Sequence, residues 1–438
     1  MKKLSGVAKI CLLLCVYLIA PHISQAQMVF KDRKLFLNQD GSHYLKATFL
    51  TQAWTRYQFY NPGTTVFGYE KDKGADIGLR RFRIQLYSQV TDRLFIYAQV
   101  GENNFNNISD RKFGFFVHDA TAEYAFVKKH LSIGMGLTGW SGLSRFSSPA
   151  VGSILGVDAP LYLQSTNDVT DQFLRKLAVY AKGKLGKFDY RLIMAHPMAI
   201  QKSANYKQGI SSNATFSDKP PKMQWDGYFQ YQFKDLESNL TPYTTGTYLG
   251  QKHVLNIGAG IVYQPDAIWR TNQQGDTLES DMMLASADVF YDRPLGNKGS
   301  ALSLYGNVAY FNFGKGYIRN LAVMNPSNGD NNPNILNGGG NGFPDYGTGT
   351  VGYIQAGYKF RDSLIGSVSL MPYASLQTAF YDRLQQPMVF TDAGLNVFLY
   401  GHQAKLTLAY QNRPVYDISG DLMERKGAFL LQFQAFFN

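Results

Sequence analysis

Arg81, Arg83 and Gln85 occupy every second position of a stretch whose intervening residues are Phe82, Ile84 and Leu86. Alternate side chains of a β-strand point to opposite faces, so the two arginines share one face and the apolar trio the other. Two guanidiniums on one face, with no nucleophile or base beside them, attract anions rather than carry out a reaction. By the same parity Lys46, Arg56, Lys176, Lys182, Lys184, Arg191, Lys222 and Lys405 lie opposite the apolar face of their own stretches. Asp119, Glu123, Asp226 and Asp288 are the acidic counterweights. If that face lines water, the excess of cations concentrates anions along it.

Other motifs offer no competing chemistry. Gly134-Met135-Gly136-Leu137-Thr138-Gly139 matches a dinucleotide fingerprint, but Ser147-Ser148-Pro149 follows instead of the helix that the pyrophosphate requires. The histidines show no paired metal-ligand spacing. His118 and Asp119 are adjacent strand residues, expected to face opposite ways and so not to form a dyad. The Asn/Asp/Gly cluster in 314–346 lacks the ordered spacing of a calcium loop and reads as a flexible external loop. Neither an enzyme nor a metal or cofactor site is expected.

The elements that must position the cations follow from period 2. The final ten residues set Phe429, Leu431, Phe433, Ala435 and Phe437 on one face, with Gln432 and Gln434 on the other. An aromatic-rich strand edge left bare would aggregate, whereas a closed barrel in a bilayer has no edge. Phe433 and Phe437 are therefore expected to face lipid and to serve as a C-terminal assembly signal. At the other end Lys2, Lys3 and Lys9 precede an apolar run, Ile10 to Ala20, and Ser24-Gln25-Ala26. That is a secretory signal peptide, 1–26, with cleavage expected after Ala26. Both cysteines, Cys11 and Cys15, lie inside it, so the mature chain has no thiol chemistry.

Composition agrees. The chain has 438 residues, 45% apolar and 14% aromatic, yet its mean hydropathy is only −0.22. No later segment approaches the run of about 18 apolar residues that a membrane helix needs. The net charge is +11, or +8 once the three signal lysines are removed. For an exported chain this surplus points to an anion-attracting pore or an anionic membrane surface rather than to nucleic acid.

Sixteen stretches carry the alternation, near 43–60, 76–90, 93–101, 115–127, 131–139, 175–184, 187–195, 222–233, 253–264, 282–292, 300–313, 349–360, 364–380, 388–399, 402–412 and 427–438. Odd-numbered connections between them are mostly long and even-numbered ones mostly short, the asymmetry of an outer-membrane barrel. Two connections fit poorly: Lys234–Lys252 is long for a turn, and Tyr381–Pro387 is short for an external loop. The fold class is thus an all-β transmembrane antiparallel barrel of about 16 strands over 43–438, preceded by a short periplasmic segment, 27–42. Sixteen strands enclose room for an aqueous lumen. The long connection Trp140–Leu174, with apolar Val151, Ile154, Leu155 and Leu161, is expected to fold inside as a constriction loop. Arg145 and Arg175 would be its cations, Asp158 and Asp168 its acids.

The Gly78-Leu79-Arg80-Arg81-Phe82-Arg83-Ile84 strand and the Thr91-Asp92-Arg93-Leu94 turn resemble the phosphate-selective porin O and P family. So do Lys182-Gly183-Lys184-Leu185-Gly186-Lys187-Phe188-Asp189-Tyr190 and Met371-Pro372-Tyr373. The resemblance implies a sixteen-stranded porin, usually a homotrimer, with an infolded loop and an arginine and lysine ladder that passes phosphate. Only Arg81 and Arg83 match that ladder closely. The sequence therefore reads as a passive outer-membrane channel of a Gram-negative bacterium for small solutes or anions, embedded in the lipid bilayer. A non-conducting barrel serving as scaffold, adhesin or transport-machine subunit is the alternative.

Overall fold

A computed structural model describes residues 29–31, 33–109, 114–200 and 209–437; the signal segment, both cysteines and Asn438 lie outside them. Sixteen antiparallel strands form one closed barrel. They are β1 (Tyr44–Phe59), β2 (Lys73–Gln89), β3 (Leu94–Phe105), β4 (Phe116–Val127), β5 (Leu131–Thr138), β6 (Lys176–Leu185), β7 (Phe188–His196) and β8 (Gln224–Gln232). There follow β9 (Val254–Thr271), β10 (Thr277–Leu295), β11 (Ser300–Asn312), β12 (Gly349–Lys359), β13 (Ser369–Tyr381), β14 (Met388–Tyr400), β15 (Ala404–Tyr416) and β16 (Leu422–Phe437). Each pairs with its sequence neighbour, and β16 closes on β1 from Ala428↔Gln58 to Phe437↔Phe49. A small hairpin, Val29–Lys31 with Lys34–Phe36, continues the sheet against the start of β1.

Each strand expected from the alternation is present, and the differences lie at the ends. β9 and β10 run on as a long hairpin closed by residues 272–276. β15 and β16 likewise extend toward each other, so the long connection read at Arg413–Lys426 shrinks to residues 417–421. Both extensions keep backbone groups paired that a loop would have to satisfy with water.

The outer face carries the apolar set: Phe49, Ile96, Met135, Leu408, Phe433 and Phe437 are exposed. The opposite face is buried even where it is polar; Gln432 and Gln434 are wholly inaccessible. What buries it is chain inside the barrel. Residues 139–175, between β5 and β6, fold into the lumen with Leu143, Phe146, Tyr162 and Leu163 at most 1% exposed. They pack on inward Val262, Met282, Leu284, Phe290, Tyr305 and Phe311 of β9–β11. Burying such side chains stabilises by about 1.5–3 kcal/mol each, which is why this connection collapses onto the wall. Residues 313–348 enter from the same mouth and fold as a hairpin, Ile318–Leu321 against Phe343–Gly347, with Tyr346 buried. This segment, read as a flexible external loop, is therefore held by an aromatic core.

Candidate functional site

The wall places Arg56, Arg81, Arg83, Lys176, Lys182, Arg191 and Lys405 on the buried lumen side, while Lys46 is half-buried with its ammonium 5.8 Å from the Tyr87 ring. Lys222 departs from its expected inward position. It precedes β8 and is exposed, bonded to Asp266 on the long hairpin, because strand parity does not extend past the strand end. Most inward cations are paired. Arg56 bonds Asp76, Lys182 lies 2.9 Å from Glu123, Lys176 lies 3.8 Å from Asp171, and Arg191 lies 3.7 Å from Asp189. Lys184 shares Asp189 at 3.7 Å, and Lys405 donates to the Ile154 carbonyl of the infolded connection at 2.9 Å. The wall is thus a lattice of ion pairs rather than a row of free cations.

Two β-bulges change which side chains meet. Gln52 pairs with Arg81 but Ala53 pairs with Leu79, so Arg80 is the extra residue and both arginines turn inward. A bulge adds one residue to one strand and breaks the alternation there. Arg80 and Arg81 both bond Asp158 of the infolded connection, Arg80 at 2.8 Å. On β4 the register skips His118, because Gln99 pairs with Asp119 and Val100 with Val117. His118 and Asp119 therefore share the inner face, contrary to the expectation from parity. They still form no dyad: Asp119 accepts from Gly139, Arg175 and Tyr243, while His118 packs against Phe116 and Phe173.

Sequence reasoning missed the second infolded connection. Residues 233–253, between β8 and β9, come from the mouth opposite to 139–175, and the two meet inside. Pro149–Ala150 pairs with Thr244–Thr245 in parallel. Arg145, wholly buried, donates both Nη atoms to the Glu237 carboxylate at 2.5 and 2.6 Å and lies 3.7 Å from the Phe290 ring centre. Tyr243 donates to Asp119 at 2.6 Å and accepts from Arg175 at 2.8 Å. Backbone contacts let the chains pass this closely: a Cβ on Gly142 would overlap Gly227 and Asp226 of the wall. The excess length of Lys234–Lys252 was the signal in the sequence.

On the β1–β3 side the infolded chain leaves a cavity that water can enter over about 500 Å³. Arg80, Arg81, Arg83, Arg175 and Arg319 line it, with Asp168 the sole carboxylate among the described lining residues. Asp158 and Asp119 pair three of these arginines from the side. Arg83 bonds backbone oxygens of Phe82 and Glu102 and the amide of Asn103, all neutral partners. Arg319, which reaches the Ser165 and Asn167 carbonyls at 3.1 Å, lay unnoticed in the loop read as flexible. Burial and neighbouring Asp171 push the Asp168 carboxyl up to about 7, against the Phe173 N–H that it accepts. Among the described residues no group of three His, Cys, Asp or Glu could hold a metal ion.

No protein-family model and no curated protein matches the sequence. Solved structures do match in fold. Pseudomonas putida OprB is similar over 93% of this chain and 100% of its own, at 10% identity and a TM-score of 0.54. Salmonella typhi OmpF, in a complex with daunomycin, is similar over 90% of this chain and 99% of its own, at 10% identity and a TM-score of 0.50. The chain shares with them the closed sixteen-stranded antiparallel barrel.

Proposed function

We propose that this chain is an outer-membrane channel passing small solutes, with a preference for anions, phosphate among them. The observation that carries the reading is the cavity against β1–β3, where five guanidiniums face three carboxylates, Asp119, Asp158 and Asp168. The surplus of two positive charges raises the local anion concentration in a low-dielectric enclosure. The apolar outer band, from Phe49 to Phe437, suits a bilayer and supports membrane residence after removal of the signal segment. The hairpin within 27–42 then lies on the periplasmic side, and Phe433 and Phe437 contact lipid. The homotrimer implied by the porin resemblance belongs to the same reading, and cross-linking in native membranes measures it.

Single-channel recording with a reversal potential in a salt gradient tests the proposal. An anion-preferring conductance is expected; no conductance, or cation preference, sinks it. The non-conducting alternative draws on one specific observation. The buried Arg145–Glu237 pair joins two infolded connections that enter from opposite mouths and meet inside the barrel. A silent bilayer together with a stoichiometric partner in pull-downs would favour that scaffold role.

A further inference from the structure

The two rims of the barrel differ in charge. At the rim that carries the β2–β3 turn, Lys129, Lys187, Lys234, Lys298 and Arg361 are exposed, each on a different connection. The exposed acids described there are held locally. Asp92 pairs with Lys128 at 3.0 Å and Asp362 with Lys359 at 2.5 Å, while Asp40 and Asp235 accept the Ser42 and His253 N–H groups at 2.9 and 2.8 Å. None of the five cations forms an ion pair among the described residues. Among the described residues of the opposite rim the signs are mixed. Lys219 pairs there with Glu279, Lys222 with Asp266 and Lys426 with Glu424 at 2.9 Å, and Asp276, Asp281 and Asp421 are exposed.

The basic rim is also lined by aromatic residues on the outer face. Arg93 donates to the Ala125 and Phe126 carbonyls at 3.0 and 2.7 Å, and Lys187 to the Phe233 carbonyl at 2.9 Å. Phe126, Phe233 and Phe437 are exposed, as are Leu236, Leu364 and Ile365 in the connections themselves. The β14–β15 turn, 401–403, carries no Lys or Arg. There the N-terminal hairpin supplies Arg33, 5.9 Å from the Phe437 ring centre, beside Phe436, which donates to the Gln403 carbonyl at 2.7 Å. Lys34 of the same hairpin lies 4.0 Å from the Tyr44 ring. Aromatic side chains mark the interface of a bilayer, so cations beside them stand at the depth of the headgroups. Long Lys and Arg stems can then rest on apolar surface with the charge in the polar layer.

The distribution of these cations selects the partner. They recur from connection to connection around the wall, whereas a compact acidic protein would need them gathered on one side. A bilayer leaflet surrounds the whole wall, and fixed positive charge at its surface attracts anionic lipid. We propose that this rim binds the phosphate groups of anionic phospholipids, of the phosphatidylglycerol class, in the leaflet on its own side. The proposal rests on the membrane residence proposed above, but not on conduction or on the anion preference of the lumen.

The test is electron spin resonance of the full-length protein in phosphatidylcholine vesicles that carry a trace of spin-labelled phosphatidylglycerol or spin-labelled phosphatidylcholine. At low salt the phosphatidylglycerol label is expected to associate on the order of fivefold more strongly, and the preference to shrink at high salt. The combined Lys129→Gln, Lys234→Gln, Lys298→Gln and Arg361→Gln variant should lower that ratio by about twofold or more. Lys71→Gln, Lys73→Gln, Lys219→Gln and Lys222→Gln together remove the same charge at the opposite rim and should leave it unchanged. Equal association of the two labels, or an equal drop in both variants, would overturn the proposal. A ratio untouched by the first variant, with co-sedimentation on isolated peptidoglycan lost instead, would give the rim to the cell wall. Vesicle flotation, measured first, reports membrane residence. Failure to float removes both readings, whereas absent conductance with an intact lipid ratio removes the channel alone.

Discussion

The two sides of the lumen are built from the same sixteen-strand wall but treat water oppositely. Against β9–β11 the inward residues include Val262, Met282, Leu284, Phe290 and Phe311 beside polar Ser286, Asp288 and Asn307, and residues 139–175 pack closely onto them. Against β1–β3 the inward residues include Gln52, Arg81, Arg83, Gln85 and Gln99, and the same connection touches them at points, Val151 accepting from Gln52 at 3.1 Å and Asp158 bonding Arg80 and Arg81, with the arginine cavity between. The apolar cluster on the β9–β11 wall draws the infolded loop to that side. The water-accessible space is therefore eccentric, against the wall that carries the arginines. The Arg145–Glu237 pair sits on the closely packed side and clamps the loop there.

The comparison breaks most severely if that clamp is cut. Arg145→Met leaves Glu237 buried without its cation, and breaking one partner of a buried pair costs about 3–5 kcal/mol. The thermal unfolding midpoint of the barrel in detergent should fall markedly, and single-channel current should become noisy as the loop detaches. Arg145→Met with Glu237→Leu should recover most of the stability, since no charge is then stranded. Equal stability of the single and double variants would show that the pair does not clamp the loop.

A smaller effect is expected at Gly142, where the loop backbone lies against Gly227 and Asp226. Gly142→Ala inserts a Cβ where there is no room, and overpacking of this kind costs about 1–3 kcal/mol. Denaturant unfolding reads the loss. Gly68→Ala, at a position with nothing near its Cβ direction but a left-handed φ of +83°, separates backbone strain from overpacking.

The strands were legible because lipid-facing and lumen-facing residues alternate, as in Leu94, Ile96, Ala98 and Val100 on one face of β3. What the alternation could not show is where it breaks. Arg80 beside Arg81, and His118 beside Asp119, share the inner face only because a bulge inserts a residue, and a bulge is set by the partner strand's register. The clamp was harder still. Arg145 and Glu237 come from connections at opposite mouths, and nothing local to either residue points to the other. A trace did exist: Met282 and Leu284 are apolar and inward while Met283 is apolar and outward, so both faces of β10 want burial. A double-sided apolar strand in a barrel announces chain packed inside.

On the polar side, two charge changes should move selectivity in opposite directions. Asp158→Asn frees Arg80 and Arg81 from their shared carboxylate and raises the anion-to-cation permeability ratio. Arg83→Gln removes the guanidinium bonded to neutral partners and lowers it. Each charge is expected to shift the ratio on the order of twofold, read from the reversal potential in a salt gradient. Shifts of the same sign in both variants would detach selectivity from this cavity.

The smallest effect is a pH dependence carried by Asp168. Its carboxyl is pushed up to about 7 by burial and by Asp171, with the Phe173 N–H and Arg319 opposing. Below that pH the group is neutral and the cavity keeps its full positive surplus. As pH rises through about 7 a negative charge appears, so anion preference should fall. The folded chain holds this proton more tightly than the unfolded one, so stability also declines as pH rises from about 4 to about 7 and then levels. His402, which also lines the cavity, is pushed down to about 4 by burial and Lys405, below this window, and burial pushes the Tyr243 and Tyr248 hydroxyls up, above it. Asp168→Asn should therefore flatten the reversal potential between pH 6 and pH 8 at its acidic value. A slope that survives the substitution would assign the titration to another group and remove Asp168 from the selectivity of the wet side.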